Sequence, residues 1–458
     1  MSSGRSLLRA RMPPPLRPFL AGGPGSGLPP DLKEQPMKKC LLVLLVCCGI
    51  YILSMFHRTS LAVLSMDIMR DFHFSQASLG LISGLTLFAY GLMQLPSGIL
   101  ADHIGAKRTL AVLTLLTGVS AFLFTCTDIL PLSLGSRFCM GIGIAVAVPG
   151  YALLAQWYSP ESYARAAGIM TASGAVGIVL SGPVLALLRD GLGWTLSLQL
   201  FAVLTLVMLL PILFGIPSRA PLQREERPRP SLRSIYDDLA AILSSSRFWL
   251  VSMWGMLTIG TFFTMSALWW VPYLVDCAGF SVMSASYVLF CAALTQLAAG
   301  PIIGWLSDVI FKGRRTLLIT AGSVCLLSFG AITLTTGSLP QWLLISLCMI
   351  WAFAASSGGI LYVTILRENF PTRVGTAIGC SNLLYPVWSA VQQSIFGSLI
   401  GFGPEHSPYL VPMLFLTANV ALGLLFALFV RESWGGASLA VEHRPEAVPG
   451  GASLTTDN

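Results

Sequence analysis

Residues 98–110 read GILADHIGAKRTL, and residues 304–317 read GWLSDVIFKGRRTL. Each stretch lies between two long apolar segments and contains a glycine, an aspartate four residues later, a further glycine and a basic pair. One such loop could arise between any two helices, whereas two copies at matching positions predict a chain made of two similar halves. The residues concerned are Gly98, Asp102, Gly105, Lys107 and Arg108 in the first copy, and Gly304, Asp308, Arg314 and Arg315 in the second.

The composition indicates a membrane protein. Of the 458 residues, 55% are hydrophobic and only 10% are charged, whereas soluble domains carry about 25% charged residues. Because about 20 apolar residues cross the hydrocarbon of a bilayer, twelve spans, numbered 1 to 12, are predicted at about 40–65, 77–101, 110–127, 129–157, 165–188, 194–216, 248–275, 282–306, 316–336, 340–366, 374–400 and 408–430. The predicted fold class is an all-α membrane protein, with twelve transmembrane helices arranged as two six-helix bundles.

The distribution of basic residues predicts the orientation. The loops after even-numbered spans carry most of the lysines and arginines, and the loops on the other side carry only Arg70 and Arg189. By the positive-inside rule, both termini and the central loop are cytoplasmic. The predicted organisation is a disordered leader (1–36), an N-terminal bundle (37–217), a cytoplasmic central loop (218–247), a C-terminal bundle (248–434) and a disordered cytoplasmic tail (435–458). The stretch SIYDDLAAIL in the central loop is interpreted as an amphipathic surface helix or as a plain linker.

The loops and two further stretches resemble a known family. GILADHIGAKR looks like the signature loop of the major facilitator superfamily, and SRFCMGIGIAVAVPG (136–150) and GIVLSGPV (177–184) resemble two other motifs of that superfamily. The second loop departs from the pattern by two extra residues before Gly313. The resemblance covers about 37–434 and implies alternating access by rocking of two halves. It also implies that Asp102 latches its loop to a helix end of the opposite half in the outward-open state.

Arg58 is the charge that most needs a physical reason. It lies within LSMFHRTSLAVLSM (53–66), about eighteen residues after the start of span 1, where a guanidinium costs roughly 2.5 to 3.5 kcal/mol or more. Tyr51 and Ser54 share its helical face, together with Leu61 and Ser65, so we expect this face to line a cavity. A cavity arginine with free donors suits a small anionic substrate. Pairing with a backbone carbonyl or a polar side chain is the alternative.

The substrate is predicted to be a carboxylate rather than a phosphate ester. Span 1 resembles the organic-anion and organophosphate branches of the superfamily, in which an arginine at this place binds the anion. In the phosphate-ester exchangers a basic residue of span 7 completes the site, but span 7 has no charged residue here. Asp67 and Asp71 are expected beyond the helix at the outer edge, so no acidic residue of the predicted membrane core can neutralise Arg58.

Two residues are candidates for proton coupling. His57 directly precedes Arg58, and a histidine changes its charge near neutral pH. On a helix it points about 100° away from Arg58, so packing against another helix is the alternative. Arg137 lies about half a dozen residues into span 4, and it could serve coupling or hold a structural partner.

Span 11 carries a polar stripe. Asn382, Tyr385 and Gln392 repeat at helical spacing, and Trp388 lies beside them. Polar groups on one face are costly against lipid, so we expect this stripe to contact the substrate. Each residue taken alone could instead bind a neighbouring helix.

These features predict a secondary active transporter that moves a small organic anion, with H+ as the coupling ion. An exporter of amphipathic compounds and a non-transporting membrane sensor are the alternatives. No nucleotide-binding loop or nucleophile motif occurs, and the ten cysteines form no CxxC pair, so we expect no enzyme, no cofactor, no metal and no nucleic-acid partner. We expect a monomer in the lipid bilayer of a bacterial inner membrane.

Overall fold

The computed structural model describes residues 30–217, 232–404 and 407–433. The predicted tail (435–458) and residues 1–29 of the predicted leader lie outside the described residues. The first helix already begins at Pro30, within the predicted leader.

Within these ranges the chain forms twelve long helical segments, several of them in two or three pieces. Their bounds are α1 Pro30–Phe72; α2 Gln76–Leu92 with Gln94–Leu100; α3 Ala106–Phe124; α4 Leu130–Gly143 with Ala147–Trp157; α5 Pro160–Val179 with Leu185–Leu192; α6 Trp194–Val207; α7 Ser246–Trp254 with Gly260–Thr264 and Trp270–Ala278; α8 Val282–Trp305; α9 Arg315–Leu334; α10 Gln341–Asn369; α11 Val374–Leu399; and α12 Leu410–Phe429. A further short helix, Leu232–Leu243, precedes α7 and contains the whole SIYDDLAAIL stretch.

The predicted all-α membrane fold is confirmed. In the described ranges, ten helices are long and apolar enough to cross a membrane, and Gln76–Leu92, the first piece of α2, is a shorter apolar helix. The remaining span, α11, has 26 residues and includes the polar side chains of Asn382, Gln392 and Gln393. The first piece of α2 packs against α11, so both of these atypical helices lie where the two halves meet.

The first helix is longer than predicted, which corrects the positions expected for two aspartates. Asp67 and Asp71 lie inside the last turns of α1 and not beyond it. Arg189 pairs with Asp67, its Nη2 lying 3.0 Å from Oδ1, and the indole of Trp194 donates to Asp71 Oδ2 at 2.7 Å. Because these partners satisfy both carboxylates at the helix end, α1 can continue past the edge of its apolar run.

The buried apolar residues show where the halves are joined. One large cluster, near the helix ends far from the termini, contains residues of both halves, such as Leu64 and Leu268. On the side of the termini there are two separate clusters, one around Leu110 in the first half and one around Leu318 in the second. The halves therefore share a core on the side away from the ends of the described chain, which we call the outer side, and they enclose a cleft that opens on the side of those ends.

The seam between α2 and α11 closes the outer side. A Cβ atom added to Gly84 would lie 2.6 Å from the carbonyl oxygen of Ala390, and one added to Gly91 would lie 3.1 Å from Val387. These distances leave no room for a side chain, so the glycines allow the two backbones to approach closely. The seam is a tight contact between the halves with no chain connection across it.

The two signature loops have equivalent structural roles. In the first, Lys107 Nζ donates to the carbonyls of Leu213 at 2.9 Å and Ile216 at 2.6 Å, beyond the end of α6. In the second, Arg315 Nη2 donates to the carbonyl of Leu428 at 2.9 Å, at the end of α12. Each basic side chain therefore caps the last helix of its own half.

Arg314, which aligns with Lys107 in the sequence of the two loops, has more partners than that lysine. Its Nε donates to Glu368 at 3.1 Å and its Nη1 to Asp308 at 2.6 Å, and the side chain is only 10% exposed. Glu432 accepts from the backbone amides of Arg314 at 2.8 Å and Arg315 at 3.1 Å, at the start of α9. The two extra residues of this loop thus accompany an ion-pair network between α8, α9 and α10.

The other loop residues are placed as follows. Gly105 has a φ of +94°, which favours glycine, and a Cβ on Gly98 would lie 3.2 Å from Val148. Gly304 has no atom near its missing Cβ. Within the described chain Asp102 is exposed and makes no hydrogen bond or ion pair. Its expected latch belongs to the outward-open state, so the latch stays a prediction.

Replacing Gly84 with leucine should wedge the outer seam open, because the new side chain would meet the α11 backbone. Spin labels at Asp128 and Ser338, which are exposed in outer loops of the two halves, report the separation by pulsed electron resonance in a protein whose native cysteines are replaced. We expect a longer mean distance than in the parent. Gly135→Leu, at a position with open space, is the control. An unchanged distance in Gly84→Leu would contradict the packing described.

Replacing Arg314 with glutamine should destabilise the second half. The side chains of Arg314 and Glu368 are 10% and 17% exposed, and removing one partner of such a largely buried pair costs about 3 kcal/mol. Thermal unfolding of the purified protein measures this loss. Arg315→Gln is the matched control, because Arg315 is exposed and its loss should cost less than about 1 kcal/mol. Equal, small effects of both changes would argue against the network.

Candidate functional site

Arg58 lies in the middle of α1, where the two halves face each other. Its side chain is half-buried, and its guanidinium carbon lies over the ring of Phe263, 4.7 Å from the ring centre. Phe263 belongs to α7 of the second half, in the short piece Gly260–Thr264. Tyr385 of α11 contacts the Phe263 ring edge-on, with ring centres 5.0 Å apart. A cation of the first half thus meets an aromatic pair of the second.

Arg58 makes no hydrogen bond and no ion pair with any residue that the structure describes; the cation–π contact is its described interaction. The partner of the alternative interpretation, a backbone carbonyl or polar side chain, is therefore not found among these residues. A half-buried guanidinium with free donors matches the fork of a carboxylate or a phosphate. The arrangement can bind an anion between the halves.

The polar stripe predicted along α1 is split in this structure, and the expected substrate contact of Ser54 stays a prediction. Tyr51 is half-buried and packs on Gly174 of α5. Ser54 is buried and donates its hydroxyl to the carbonyl of Ile144 at 2.7 Å, in α4. Leu61 and Ser65 lie in the packed core. The α1 face therefore lines the cleft around Tyr51 and Arg58 only, because the rest packs on neighbouring helices.

The stripe on α11 binds mostly to other helices in this structure, and the expected substrate contact of Gln392 stays a prediction. This side chain is fully buried; its Nε2 donates to Thr261 at 3.0 Å, and its Oε1 accepts from Thr264 at 2.9 Å. Both threonines belong to α7, so the amide joins α7 to α11. A polar side chain in hydrocarbon takes the partner that a neighbouring helix offers.

Two other predicted contacts on α11 are also engaged elsewhere. Asn382 Oδ1 accepts from the hydroxyl of Tyr362 at 3.4 Å, and the indole of Trp388 donates to Asn419 at 3.0 Å. Tyr385 alone of the four predicted residues lies against the Arg58 partner, Phe263. The structure thus brings together Arg58 and Tyr385, and it directs Asn382, Trp388 and Gln392 to helix contacts.

His57 and Arg137 lie in the interior of the first half. The His57 ring is fully buried; Nε2 lies 2.9 Å from the hydroxyl of Thr205, and Nδ1 has no partner in the structure. Arg137 is 2% exposed and lies over the ring of Phe124 at 4.1 Å. Its Nε and Nη2 have no hydrogen-bond partner. The two groups interact electrostatically with each other, away from the Arg58 cleft.

The prediction from sequence missed Phe263. It lies in the apolar run of α7, where nothing distinguishes it from neighbouring aromatic residues. The structural signal is local: Gly260–Thr264 is flanked by the π-helical turns Gly255–Ile259 and Met265–Trp269. Such turns change which side of a helix a residue faces and often accompany functional sites. Among the residues that the structure describes, no group of three metal-ligating side chains occurs.

Comparisons with known proteins place this architecture. The family model described as "Major Facilitator Superfamily" matches residues 46–392. A probable galactarate/D-glucarate transporter of Escherichia coli, GarP, is 23% identical over 434 residues, covering 87% of this chain and 96% of the relative. A probable sulfoacetate transporter of Cupriavidus necator, SauU, is 24% identical, covering 87% and 95%. A hexuronate transporter of Bacillus subtilis is 22% identical, covering 76% and 85%.

Solved structures share the fold. A point mutant of the nucleoside transporter NupG superimposes with a TM-score of 0.70 at 13% identity, covering 86% of this chain and 99% of that one. A bacterial homolog of the human lysosomal transporter Spinster, in an inward-facing and unoccupied conformation, gives a TM-score of 0.66 at 17% identity, covering 88% and 97%. These likenesses show the fold, and the family match and the curated relatives support a multi-pass membrane transporter. Together with the match over most of the chain, they show that this protein belongs to the major facilitator superfamily.

Proposed function

We propose that the protein is a secondary active transporter of a small organic anion, whose carboxylate binds Arg58. The observation that carries this proposal is the half-buried guanidinium between the halves, without a carboxylate partner among the described residues. Such a charge is costly unless an anion compensates it. The names of the relatives support the same class, since galactarate, glucarate, hexuronate and sulfoacetate are organic acids.

A carboxylate fits this site better than a phosphate ester. A phosphate ester places up to two negative charges on one group near neutral pH, whereas each carboxylate group carries one. Residues 248–275, which include Phe263, contain no charged residue that could share a second charge at the same place. Arg58 is then the single cation offered to the anion from α1 and this part of α7. One guanidinium matches one carboxylate in charge and in fork geometry.

Transport then follows alternating access between two states. The state described has its outer seam closed and its cleft open on the side of the termini. We infer from the basic residues of the loops that this side is the cytoplasm, and from the bacterial relatives that the membrane is a bacterial inner membrane. In this proposal the bundles 37–217 and 248–434 rock about Arg58, joined by the loop 218–247 and acting as a monomer.

We further propose that a proton accompanies the anion and that His57, with Arg137 beside it, takes part. In support, His57 is adjacent to Arg58 in the chain, and its Nδ1 has no hydrogen-bond partner. The acidic residues described lie near helix ends or in loops, as Asp67, Asp276 and Glu368 do. An unperturbed histidine titrates near neutral pH, so proton coupling requires a state in which this buried ring reaches water and moves away from the Arg137 cation. Movement of α1 between states would have to connect this buried ring to the cleft.

Uptake of labelled D-glucarate, L-galactonate, sulfoacetate and hexose 6-phosphate into proteoliposomes tests the anion site. We expect carboxylate uptake that Arg58→Ala abolishes and Arg58→Lys reduces at least tenfold, because lysine offers a point charge and no planar fork. Arg70→Ala is the matched control, since Arg70 is 71% exposed at the outer end of α1. Undiminished carboxylate uptake in Arg58→Ala would overturn the proposed site.

Acidifying the side from which the anion enters tests proton coupling. In the parent protein we expect faster uptake as the pH of that side falls, since the proton gradient then drives the anion. His57→Gln should take up the anion under exchange conditions without this acceleration. His73→Asn, at an exposed position with positive φ that asparagine tolerates, should respond like the parent. A flat response in the parent would remove the proton from the mechanism.

A further inference from the structure

We propose that Phe263 is a positioning residue, which holds the Arg58 guanidinium ready for the carboxylate. The inference rests on the proposed function and assigns a role to a residue of the second half. Its first support is that the ring is the partner described for this guanidinium, at 4.7 Å from ring centre to guanidinium carbon. The contact runs from α1 of the first half to α7 of the second half, so it depends on how the two halves are packed against each other.

The contact leaves the hydrogen-bonding capacity of Arg58 unused. A cation over a ring is attracted by the electron-rich face, which requires no N–H donor. All five donors of the guanidinium therefore stay available for oxygen atoms. A carboxylate can approach the edge of the guanidinium while the ring stays on its face, so the aromatic contact and the substrate do not compete for the same atoms.

The ring is itself held in place by its surroundings. Thr261 accepts from Gln392 at 3.0 Å, and Thr264 donates to Gln392 at 2.9 Å and lies 2.9 Å from the hydroxyl of Ser389. These bonds tie the helical piece Gly260–Thr264 to α11 on either side of Phe263 in sequence. Tyr385, on the same helix α11, contacts the ring edge-on. The polar residues of α11 thus act on the substrate site through the position of Phe263.

Positioning matters because arginine is flexible. A long side chain that is fixed before binding loses less conformational entropy when the anion arrives, which strengthens binding. Cation–π contacts at partly desolvated sites correspond to about two- to thirtyfold in an equilibrium constant. Removing the ring should therefore weaken the apparent affinity and leave the maximal rate nearly unchanged.

Uptake kinetics of Phe263→Leu and Phe263→Tyr provide the test, with the panel carboxylate that the parent protein takes up fastest. We expect the KM of Phe263→Leu to rise about two- to thirtyfold with little change in maximal rate, and Phe263→Tyr, which retains the aromatic face, to keep the KM of the parent. Phe262→Leu is the matched control: Phe262 is buried beside Trp270 and Trp351, so its loss should lower thermal stability and leave KM unchanged.

The outcomes separate the two proposals. An unchanged or lower KM in Phe263→Leu, while Arg58→Ala abolishes uptake, would overturn the positioning role and leave the anion site standing. A KM that rises equally in Phe263→Tyr and Phe263→Leu would also overturn it, since the aromatic face would then be irrelevant. Uptake that survives in Arg58→Ala, or no uptake of any panel carboxylate by the parent, would overturn the proposed function and this inference with it.

Discussion

The Arg58 guanidinium lies half-buried between two helical halves, with an aromatic ring over its charge and no carboxylate beside it in the described chain. Hydrocarbon cannot solvate such a group, so its surroundings must supply either a counter-charge or a water-filled space. The two halves provide the space: they share one core on the outer side and keep separate cores on the side of the termini. The unpaired cation can therefore exist at this depth because the cleft provides the space that it needs.

In the proposed alternating access, the outer seam between α2 and α11 is the contact that must separate. Close approach of α2 to α11 relies on glycines such as Gly84, because a side chain at that position would meet the α11 backbone. Gln393 of α11 and Trp269 of α7 are fully buried near it, and their side-chain polar atoms have no hydrogen-bond partner in the structure. Burying such groups costs free energy. These unpaired groups therefore lower the net stability of the closed seam.

The sequence predicts the helices better than it predicts the contacts between them. Apolar runs and the repeated loop indicate twelve spans in two halves, because the bilayer sets the length of each helix. The predicted end of span 1, at about residue 65, is wrong, since α1 continues to Phe72. Arg189 and Trp194 satisfy the aspartates that were expected beyond the helix. Helical spacing likewise places Ser54 and Gln392 on polar faces, but it does not say which neighbour takes their hydrogen bonds.

The same contrast holds for the site, where the sequence predicts one residue and not its contact. A lone arginine deep in an apolar run has few explanations, so Arg58 could be singled out from the sequence. Phe263 could not, because one aromatic residue among many in α7 has no distinguishing pattern, and only the packing of α1 against α7 brings it to the guanidinium. Residues that act through position in space leave little trace along the chain.

The most direct test of the central claim is a structure of the protein determined by cryo-electron microscopy with its best-transported carboxylate bound. The account predicts carboxylate oxygens about 2.7–2.9 Å from the Arg58 nitrogens, in the cleft between the halves, with Phe263 still on the guanidinium face. Density for the anion at another place, with the donors of Arg58 free or bound to protein, would contradict it.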